Sequence, residues 1–550
     1  MAASMLCKCW LMSLLCVLSI SPSCAFAWKQ RQQPIKDRSD VWLTPEFDTF
    51  ARQLLDEYKI PGLSIAIVDA DETYSKGYGI ATFPDEEVTP ETLFCTASTT
   101  KAFTAAAVSF LVDDVKNFSS VQWTTPINTL IRDDFVLLDE YWTNHLTLED
   151  AMSHRTGMPG WDSTWMVDSE RTVRHRTRSL RYLPLSKPPR TTFQYCNIMF
   201  VVISHAIETV TGQWLGEFLR IHIYEPLNMT STFLSLSDAR NASNTVAHGY
   251  YWSSRMQDYE QVSYIDRRDF SGAGGTISNV LDYAKWLRMF LYQASPLSAS
   301  AHSELLKPRT FLFEGVNPIF RQPAYTLGWN VMVYRGVNFY THDGGLPGFG
   351  TKVLMIPEKK WAFAIMGNTG ETSNMVASVL GFRLIDQLLG VPEQERYDWN
   401  ASNQEALLAS QKPFNKTAIL HSLYPHLPSP AIPASLPLSS YAHSYHHPAY
   451  GTITFSTNCT DHFESDFDMA KALGKSNCTL VSTPASNVTV FLEHMSGDHF
   501  IAWEEGLYNR GALKVEFDVD VKGVARRLGL DLEPRMEGEM WWFLRVDERS

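Results

Sequence analysis

Strand-like segments at both ends of one long region, with helix-like segments between them, constrain the fold of this chain most strongly. Residues 45–59 show helical spacing of apolar positions, and two strand-like runs follow them, LSIAIVDA and ETYSKGYGIAT. Helical patterns then recur at 98–115, 146–153, 198–211 and 278–293. Strand patterns return in TLGWNVMVY, VNFYTHDG, TKVLMIPEKK and WAFAIMGN, which Gly, Pro and charged turns separate. We therefore predict an α+β fold in which one antiparallel sheet joins early and late strands around a helical middle.

A proline-rich stretch separates this region from a β-rich C-terminal part. The prolines are concentrated between Pro425 and Pro437, and residues 391–440 have the composition of a linker. From Tyr441 to Ser550 the segments YGTITF, NVTVFLEH, HFIAWEE, ALKVEFDVD and MWWFLRV indicate short strands. We predict a first domain over 28–390, a linker region over 391–440 and a small β-barrel domain over 441–550.

The first 27 residues have the pattern of a secretory signal peptide. Lys8 precedes an apolar run from Trp10 to Ile20, and Ala25-Phe26-Ala27 forms a small-x-small cleavage site. The run has about 11 residues, whereas a membrane-spanning helix needs roughly 20, so we predict no membrane span. N-glycosylation sequons occur at Asn117, Asn228, Asn241, Asn400, Asn415, Asn458, Asn477 and Asn487. Both features predict a secreted glycoprotein, and the net charge of −13 argues against nucleic acid as a partner.

Four cysteines follow the signal, and they allow three pairings. Cys459 and Cys478 are close in sequence within the C-terminal part, so we expect them to form a disulfide in an oxidising compartment. Cys95 and Cys196 either form a bridge or remain buried as small apolar residues. The sequence does not decide between these two alternatives.

The segment FCTASTTKAF contains Ser98 three residues before Lys101. That spacing puts the two side chains on one face of a helix, so the ammonium group can reach the hydroxyl. Taken alone, the tetrapeptide better fits an ordinary helix start, in which Ser98 or a neighbour caps the helix and Lys101 is solvated. The alternative is that Ser98 is a nucleophile and Lys101 its base, because a free alcohol is a weak nucleophile.

Two further elements follow Ser98 in the chain, Tyr195-Cys196-Asn197 and His342-Asp343-Gly344-Gly345. With these elements in this order, the chain resembles the serine β-lactamase, penicillin-binding protein and DD-peptidase superfamily, especially its class C-like esterase and peptidase branch. The resemblance covers residues 45 to 390 and includes IPGLSIAIV, LTLEDAMSHRTGMPG, GAGGTISNVLDYAKWL and LPGFGTKVLMIP. It implies a β-lactamase/transpeptidase-like domain, with an antiparallel sheet flanked by helices and a helical subdomain. HSYHHPAYGTITF resembles, more weakly, the start of a lipocalin-like domain.

The resemblance implies a chemical role for the residues of the first two elements. Ser98 is the expected nucleophile, which attacks an acyl carbonyl and forms an acyl-enzyme. Lys101 and Tyr195 share the proton transfers, worth roughly 10²- to 10⁴-fold in rate, and the sequence does not say which of them is the base. Asn197 has both an amide donor and a carbonyl acceptor, suited to orienting Lys101 and the substrate carbonyl.

The third element departs from the family pattern at His342, where many β-lactamases have the lysine of Lys-Thr-Gly. Histidine supplies less reliable positive charge for a substrate carboxylate, since its reference pKa is about 6.5. Dedicated β-lactam hydrolysis is therefore not the expected activity. Gly344 and Gly345 let the strand edge approach the substrate, and the resemblance implies an oxyanion donor at the Gly345 amide, beside that of Ser98.

The sequence predicts no cofactor and no metal. It contains neither a Gly-x-Ser-x-Gly elbow nor a His-Glu-x-x-His zinc motif, and GAGG at 272–275 does not complete a dinucleotide fingerprint. His154, His446 and His447 lack suitably spaced partner ligands, so we expect them to be structural or surface residues.

The expected protein is a secreted serine hydrolase that cleaves an ester or a peptide-like amide in a small-molecule or peptide substrate. If the acyl-enzyme passes its acyl group to an alcohol or amine instead of water, the protein is an acyltransferase or transesterase. A non-catalytic binding protein that retains the fold is the alternative of another class. The natural substrate and the oligomeric state do not follow from the sequence.

Overall fold

Strands from both ends of the first 390 residues meet in one sheet, and helices cover its two faces. The computed structural model describes residues 39–165, 171–242, 244–254, 256–264, 266, 268–313, 317, 319–410, 415–459, 479–482, 489–505, 510–536 and 538–546. Trp42–Ser550 form one compact unit. The helices are α1 Ser39–Trp42, α2 Pro45–Glu57, α3 Thr100–Asp113, α4 Ile127–Leu130, α5 Glu140–His145, α6 Leu148–Met152, α7 Val173–Ser179, α8 Asn197–Thr211, α9 Leu215–Leu219, α10 Leu236–Asn241, α11 Ser271–Gly274, α12 Val280–Tyr292, α13 Ala299–Leu306, α14 Glu371–Leu388, α15 Trp399–Ser410 and α16 Lys416–Leu423. The strands are β1 Gly62–Asp69, β2 Glu72–Thr82, β3 Glu86–Glu87, β4 Phe94–Cys95, β5 Gly249–Ser253, β6 Asp258–Val262, β7 Ile277–Ser278, β8 Thr310–Phe311, β9 Arg321–Tyr325, β10 Asn330–Tyr334, β11 Val337–Leu346, β12 Phe349–Ile356, β13 Trp361–Gly367, β14 Ser444–His447, β15 Gly451–Thr454, β16 Ser456–Asn458, β17 Thr479–Ser482, β18 Thr489–Ser496, β19 His499–Glu505, β20 Arg510–Val519, β21 Ala525–Leu530 and β22 Trp541–Arg545.

The central sheet has the strand order β3-β2-β1-β13-β12-β11-β10-β9-β8, and its neighbouring strands pair antiparallel. The early strand β1 pairs with the late strand β13, with Leu63 opposite Gly367 and Asp69 opposite Trp361. The predicted α+β fold, with early and late strands in one antiparallel sheet around a helical middle, is therefore confirmed.

Alternate side chains of β1 enter two different cores, because successive residues of a strand point to opposite faces of the sheet. Ile65 and Ile67 belong to the core that α2 and α14 cover. Ala66 and Val68 belong to the core that contains α3 and α12. Since helices cover both faces, β1 has the continuous apolar sequence of a fully buried strand.

Helix α3 lies in the interior of the helical middle. Its residues Ala102, Ala105 and Ala106 are buried, and the small side chains allow α8, α11 and α13 to pack closely around it. A helix that is apolar on nearly all sides is a buried one. The first turn of α3 follows Ser98 directly, so the buried helix sets the position of Ser98.

In the described residues of the C-terminal domain, nine strands form a nearly closed, barrel-like sheet in the order β15-β14-β22-β21-β20-β19-β18-β17-β16. Its interior is filled by contacting aromatic rings of Tyr441, Tyr445, Phe500 and Phe517. The predicted small β-barrel is therefore confirmed, whereas its lipocalin-like character stays a prediction.

The region 391–440, predicted as a linker, contains helices α15 and α16. Trp399 of α15 stacks on Phe382 with ring centroids 4.3 Å apart. Leu420 of α16 packs against a small core of the barrel that includes Phe491 and Trp503. Both helices thus pack on the neighbouring domains, and the proposed domain boundaries stay predictions.

Several features expected from the sequence involve residues outside the described part of the chain. These are the signal peptide over 1–27 and the residues Asn477, Asn487 and Cys478. The Cys459–Cys478 disulfide therefore stays a prediction. Cys95 and Cys196 are both buried and free, which excludes a bridge between them.

The remaining sequons lie on accessible surface. The exposed ones are Asn117, Asn228, Asn241 and Asn415, and the partly exposed ones are Asn400 and Asn458. Their glycosylation stays a prediction. Within the described ranges no single helix has the length and hydropathy to cross a bilayer, although the bent pair Asn197–Thr211 and Leu215–Tyr224 meets that test when its parts are combined.

Candidate active site

Ser98 lies on a tight turn between β4 and α3. The turn is a 3-10 helix over Ala97–Thr99, and Ala97 has a φ of +47°, a backbone region that an L-residue adopts only when its surroundings hold it there. Thr100 contributes to this by donating a hydrogen bond from Oγ1 to the Ala97 carbonyl at 2.7 Å. The N-cap of α3 is Thr99, and its side chain makes no capping hydrogen bond. Ser98 is therefore not the residue that caps the helix.

Lys101 is fully buried beside Ser98 and has three acceptors around its amine. Its Nζ is 3.0 Å from Ser98 Oγ, 2.8 Å from Asn197 Oδ1 and 2.7 Å from the Ala273 carbonyl oxygen. Burial lowers the pKa of Lys101 to about 7, and the Asp162 carboxylate opposes that shift. A neutral amine keeps two N–H groups for Asn197 and Ala273. Its lone pair is then directed at the Ser98 hydroxyl.

Tyr195 lies beside both Ser98 and Lys101. The Lys101 Nζ is 4.9 Å from the centroid of the Tyr195 ring. Burial raises the pKa of Tyr195 above its ordinary value, and a hydrogen bond with Ser98 opposes this rise. The Tyr195 hydroxyl therefore keeps its proton at neutral pH.

A buried histidine holds the turn that carries Tyr195 and Asn197. The His154 ring packs on the Tyr195 ring with centroids 4.3 Å apart, and its Nδ1 accepts a hydrogen bond from the Cys196 amide at 3.0 Å. Burial, together with the nearby Lys101, lowers the pKa of His154 well below its ordinary value. A neutral His154 is thus consistent with its acceptor role.

Asn197 is the first residue of α8, and both ends of its side-chain amide are bound. Oδ1 accepts from Lys101, and Nδ2 donates to Asp162 Oδ1 at 3.0 Å. Because the two partners differ in hydrogen-bonding type, they fix which way the amide points. Asp162 itself begins a 3-10 turn over Asp162–Trp165, on a different part of the helical middle.

His342 on β11 is buried and held as a neutral imidazole. Its Nδ1 donates to the Asp343 carbonyl oxygen at 2.7 Å, and its Nε2 accepts from the Tyr325 hydroxyl at 2.8 Å. Burial lowers the pKa of His342 to about 4, and the neighbouring Lys101 adds to this shift. Lys352, the cation on the next strand, pairs with the Asp343 carboxylate at 2.7 Å. His342 therefore supplies no positive charge at neutral pH.

Gly344 allows the edge of β11 to approach the turn that holds Ser98. A Cβ atom at Gly344 would lie 2.1 Å from the Thr96 carbonyl oxygen, which is closer than any real contact of this kind. At Gly345 a Cβ atom would meet only Asn374 Nδ2, at 3.6 Å. The steric need for glycine is thus at Gly344, and the oxyanion role of the Gly345 amide stays a prediction.

Three segments far apart in sequence therefore come together around Ser98, at 98–101, 195–197 and 342–345. The catalytic roles of their residues stay predictions. Two residues at the site escaped the sequence analysis, Asp162 and Tyr325. Neither belongs to a spaced motif, and each reaches the site only through tertiary contacts, so nothing in the sequence marks them.

Comparison with known proteins gives both family and fold. The family profile described as Beta-lactamase matches residues 47–381, and the one described as Domain of unknown function (DUF3471) matches residues 427–545. The solved structure of the octameric penicillin-binding protein homologue from Pyrococcus abyssi aligns with a TM-score of 0.53 at 19% identity, covering 91% of this chain and 99% of that chain. At this identity the likeness concerns the fold alone.

Two curated relatives are similar along almost their whole length. Unguisins hydrolase ungD' from Aspergillus campestris is 41% identical over 507 residues, covering 91% of this chain and 91% of the relative. Unguisins hydrolase ungD from Aspergillus violaceofuscus is 38% identical over 534 residues, covering 93% and 92%. D-aminopeptidase from Gluconobacter oxydans is 26% identical over 349 residues, covering 61% and 60%. The chain therefore belongs to the beta-lactamase family and is a serine hydrolase of that type.

Proposed function

We propose that this protein hydrolyses a peptide-like amide through an acyl-enzyme on Ser98. The observation that carries the proposal is the position of Lys101, whose Nζ is 3.0 Å from Ser98 Oγ. Its two other contacts, Asn197 Oδ1 and the Ala273 carbonyl oxygen, are acceptors only. The lone pair of a neutral Lys101 is thus left for the Ser98 proton, which is the arrangement that an activated serine requires.

Acylation begins when Ser98 Oγ attacks the amide carbonyl carbon and its proton passes to Lys101 Nζ. The carbonyl oxygen becomes an oxyanion, for which the amides of Ser98 and Gly345 are the proposed donors. Loss of one such donor typically costs about 10²- to 10³-fold in rate. Tyr195 then donates its phenol proton to the leaving nitrogen and regains a proton from Lys101, the C–N bond breaks, and the amine leaves.

Deacylation repeats these steps with water as the nucleophile. A water proton passes to Lys101 while the oxygen attacks the ester carbonyl carbon, and the bond to Ser98 Oγ breaks as the serine regains its proton. The products are a carboxylic acid and the free enzyme. General acid and base catalysis of this kind contributes roughly 10²- to 10⁴-fold.

The charges around the site favour an amide without a free carboxylate beside the bond to be cleaved. His342 is neutral, because its pKa is about 4, and Lys352 is already paired with Asp343. The carboxylates of Asp162 and Asp343 both act electrostatically on Tyr195, so a substrate carboxylate next to it would meet like charges. A β-lactam, whose recognition needs a cation for its carboxylate, is therefore not the proposed substrate.

The names of the relatives support hydrolysis, and one of them, D-aminopeptidase, supports cleavage of a peptide-like amide. The unguisins hydrolases are 41% and 38% identical to this chain, and the more distant D-aminopeptidase is 26% identical over 349 residues. Unguisins are accordingly the first substrates to test on the purified protein, followed by D-amino-acid amides.

Covalent labelling of Ser98 tests the mechanism directly. The purified protein is incubated with a fluorophosphonate, and peptide mass spectrometry locates the adduct. We expect it on Ser98, with the Ser120→Ala variant, which changes an exposed loop serine, labelled like wild type. Amide hydrolysis that survives in Ser98→Ala would refute the mechanism, and a folded protein with neither adduct nor turnover would indicate a binding protein. Ester products formed when an alcohol is added would indicate an acyltransferase.

We also propose that the protein is secreted and N-glycosylated, with a disulfide between Cys459 and Cys478. The signal pattern over 1–27 and the exposed sequons support this. Expression in a fungal host tests it: the protein should reach the medium with an N-terminus near Trp28 and shift in mass on deglycosylation. Retention of an intact N-terminus inside the cells would contradict secretion, and non-reducing peptide mapping tests the disulfide.

A further inference from the structure

Asp162, which accepts a hydrogen bond from the active-site amide of Asn197, follows a residue with a strained backbone. The preceding residue, Trp161, has a φ of +52°, which is the left-handed region, although it carries a large side chain. Residues other than glycine keep such a conformation only when surrounding contacts fix it. Asp162 Oδ1 accepts a hydrogen bond from Asn197 Nδ2 at 3.0 Å. Contacts that hold the Trp161 backbone in place therefore also help to hold the Asn197 side-chain amide.

Thr164 holds the Trp161 carbonyl oxygen from within the segment, and the C-terminal barrel holds the Trp161 amide and ring. The Trp161 amide donates to Glu533 Oε2 at 3.0 Å, and Ser163 Oγ donates to the Leu532 carbonyl oxygen at 3.1 Å. The Trp161 ring also packs edge-to-face on Trp541, with centroids 4.9 Å apart. These contacts involve Trp161 and Ser163, the residues on either side of Asp162. The barrel therefore holds the segment on both sides of the residue that reaches the site.

Glu533 is an unusual residue to find at such an interface. Its side chain is 6% exposed, and its hydrogen bonds come from two backbone amides, those of Trp161 and Arg535. Within the described part of the chain it forms no ion pair. A buried carboxylate is costly unless hydrogen bonds compensate it, and here they connect it directly to the segment that carries Asp162.

We propose that Glu533 of the C-terminal domain is a positioning residue for the active site. Through its bond to the Trp161 amide it keeps Asp162 on Asn197 Nδ2, and Asn197 Oδ1 in turn holds the Lys101 amine towards Ser98. The barrel is thus part of the catalytic unit. This inference rests on the proposed function, because the bonds that it orders are those of the proposed base.

Three variants test the proposal in the full-length protein. Glu533→Ala leaves the buried Trp161 amide without its acceptor, whereas Glu533→Gln keeps a side-chain oxygen for it. Glu539→Ala is the matched control, since Glu539 is an exposed glutamate six residues along the same chain segment. All rates are measured at a temperature where circular dichroism shows every variant folded.

Reactivity of Ser98 and turnover are the first measurements. We expect Glu533→Ala to lose about 10- to 100-fold in both fluorophosphonate labelling rate and kcat, because small displacements of a catalytic group cost up to that much. KM should change little, since Glu533 does not touch the substrate. Glu533→Gln should recover most of the lost rate and Glu539→Ala should match wild type. A folded Glu533→Ala that labels like Glu539→Ala would overturn the proposal, as would Gln and Ala variants that are equally impaired.

Coupling to Asp162 distinguishes positioning from general damage to the fold. If Glu533 acts through Asp162, the double variant Glu533→Ala/Asp162→Ala should label no more slowly than Asp162→Ala alone, whereas additive losses would contradict the inference. Should Glu533→Ala fail to fold, Ser163→Ala removes the second bond to the barrel and should slow labelling several-fold. An unchanged rate would then count against the proposal.

Hydrogen exchange gives a readout that does not depend on the chemistry. Mass spectrometry of peptides covering 158–165 should show faster amide exchange in Glu533→Ala than in Glu539→Ala. If Glu533→Ala loses protection but the wild-type protein is never labelled on Ser98, the proposed function is refuted while the structural contact stands. Unchanged protection would overturn the positioning role itself.

Discussion

The protonation of Lys101 should control the reactivity of Ser98 between pH 5 and 8. Burial lowers the pKa of Lys101 from 10.5 to about 7. The amine is then about half neutral at pH 7, about one-tenth neutral at pH 6 and about one-hundredth neutral at pH 5, whereas an ordinary lysine would be neutral in only about 1 of 3,000 molecules at pH 7. Burial thus increases the reactive fraction at pH 7 by about 10³-fold.

The reactivity of Ser98 should increase with pH, because the neutral form of Lys101 is the active one. The neutral amine accepts the Ser98 proton, so the labelling rate should rise with pH, approach a plateau above about pH 8 and fall about tenfold per unit well below pH 7. Asp162 raises the pKa of Lys101, so removing its charge in Asp162→Asn should move the rising limb of the pH–rate profile to lower pH. The asparagine keeps an oxygen for Asn197 Nδ2, which preserves the hydrogen bond.

The assay is the second-order rate of fluorophosphonate labelling from pH 5 to 9, in wild type and Asp162→Asn, with folding checked at each pH. The pKa of His342 is about 4, so its titration lies below this window. Lys101→Arg is the control, because a guanidinium stays protonated throughout and labelling should be lost. A flat profile across pH 5 to 8, or a limb that moves to higher pH in Asp162→Asn, would refute Lys101 as the base.

Three other substitutions, two of them paired with a comparison variant, test separate features of the structure. Gly344→Ala should lower kcat/KM at least about 100-fold, because its Cβ would lie 2.1 Å from a backbone carbonyl oxygen, whereas Gly345→Ala has room and should cost far less; equal losses would contradict the steric argument. His342→Lys should restore a cation and increase acylation by a cephalosporin about tenfold or more, measured by mass spectrometry, and no gain would show that charge is not the limit. Arg176→Met removes the ion pair between the buried side chains of Arg176 and Asp269 and should lower the free energy of unfolding by about 3–5 kcal/mol in urea. The mostly exposed Arg174→Met should cost less than about 1 kcal/mol, and similar values would show that burial of the pair is unimportant.

Much of the fold could be predicted because its elements have strong local patterns. The strand β1 was expected from LSIAIVDA and the helix α3 from an alanine-rich apolar run, and both form close to the expected residues. The region 391–440 was harder to interpret. Its α15 has weak amphipathic patterning, and Trp399 is held by stacking on Phe382, a contact that composition does not reveal.

The candidate site was predicted in part for a similar reason. Ser98 and Lys101 are three residues apart, so a helix alone brings them together, and Tyr195 and Asn197 follow from the family pattern. Asp162, Tyr325 and Glu533 belong to no spaced motif.

The sequence by itself determined the alternation of strands and helices, the order of the three motifs and the identity of the groups that can react. These are properties of neighbouring residues, and chain geometry fixes them locally. Only the tertiary structure decided that Lys101 has a pKa of about 7 and that His342 is neutral, because desolvation and charge arise from segments that are distant in the chain. It also decided that Glu533, more than 400 residues after Ser98, binds the Trp161 amide, next to the Asp162 that binds the active-site amide of Asn197. Folding makes this contact because it places the barrel against the Trp161 segment.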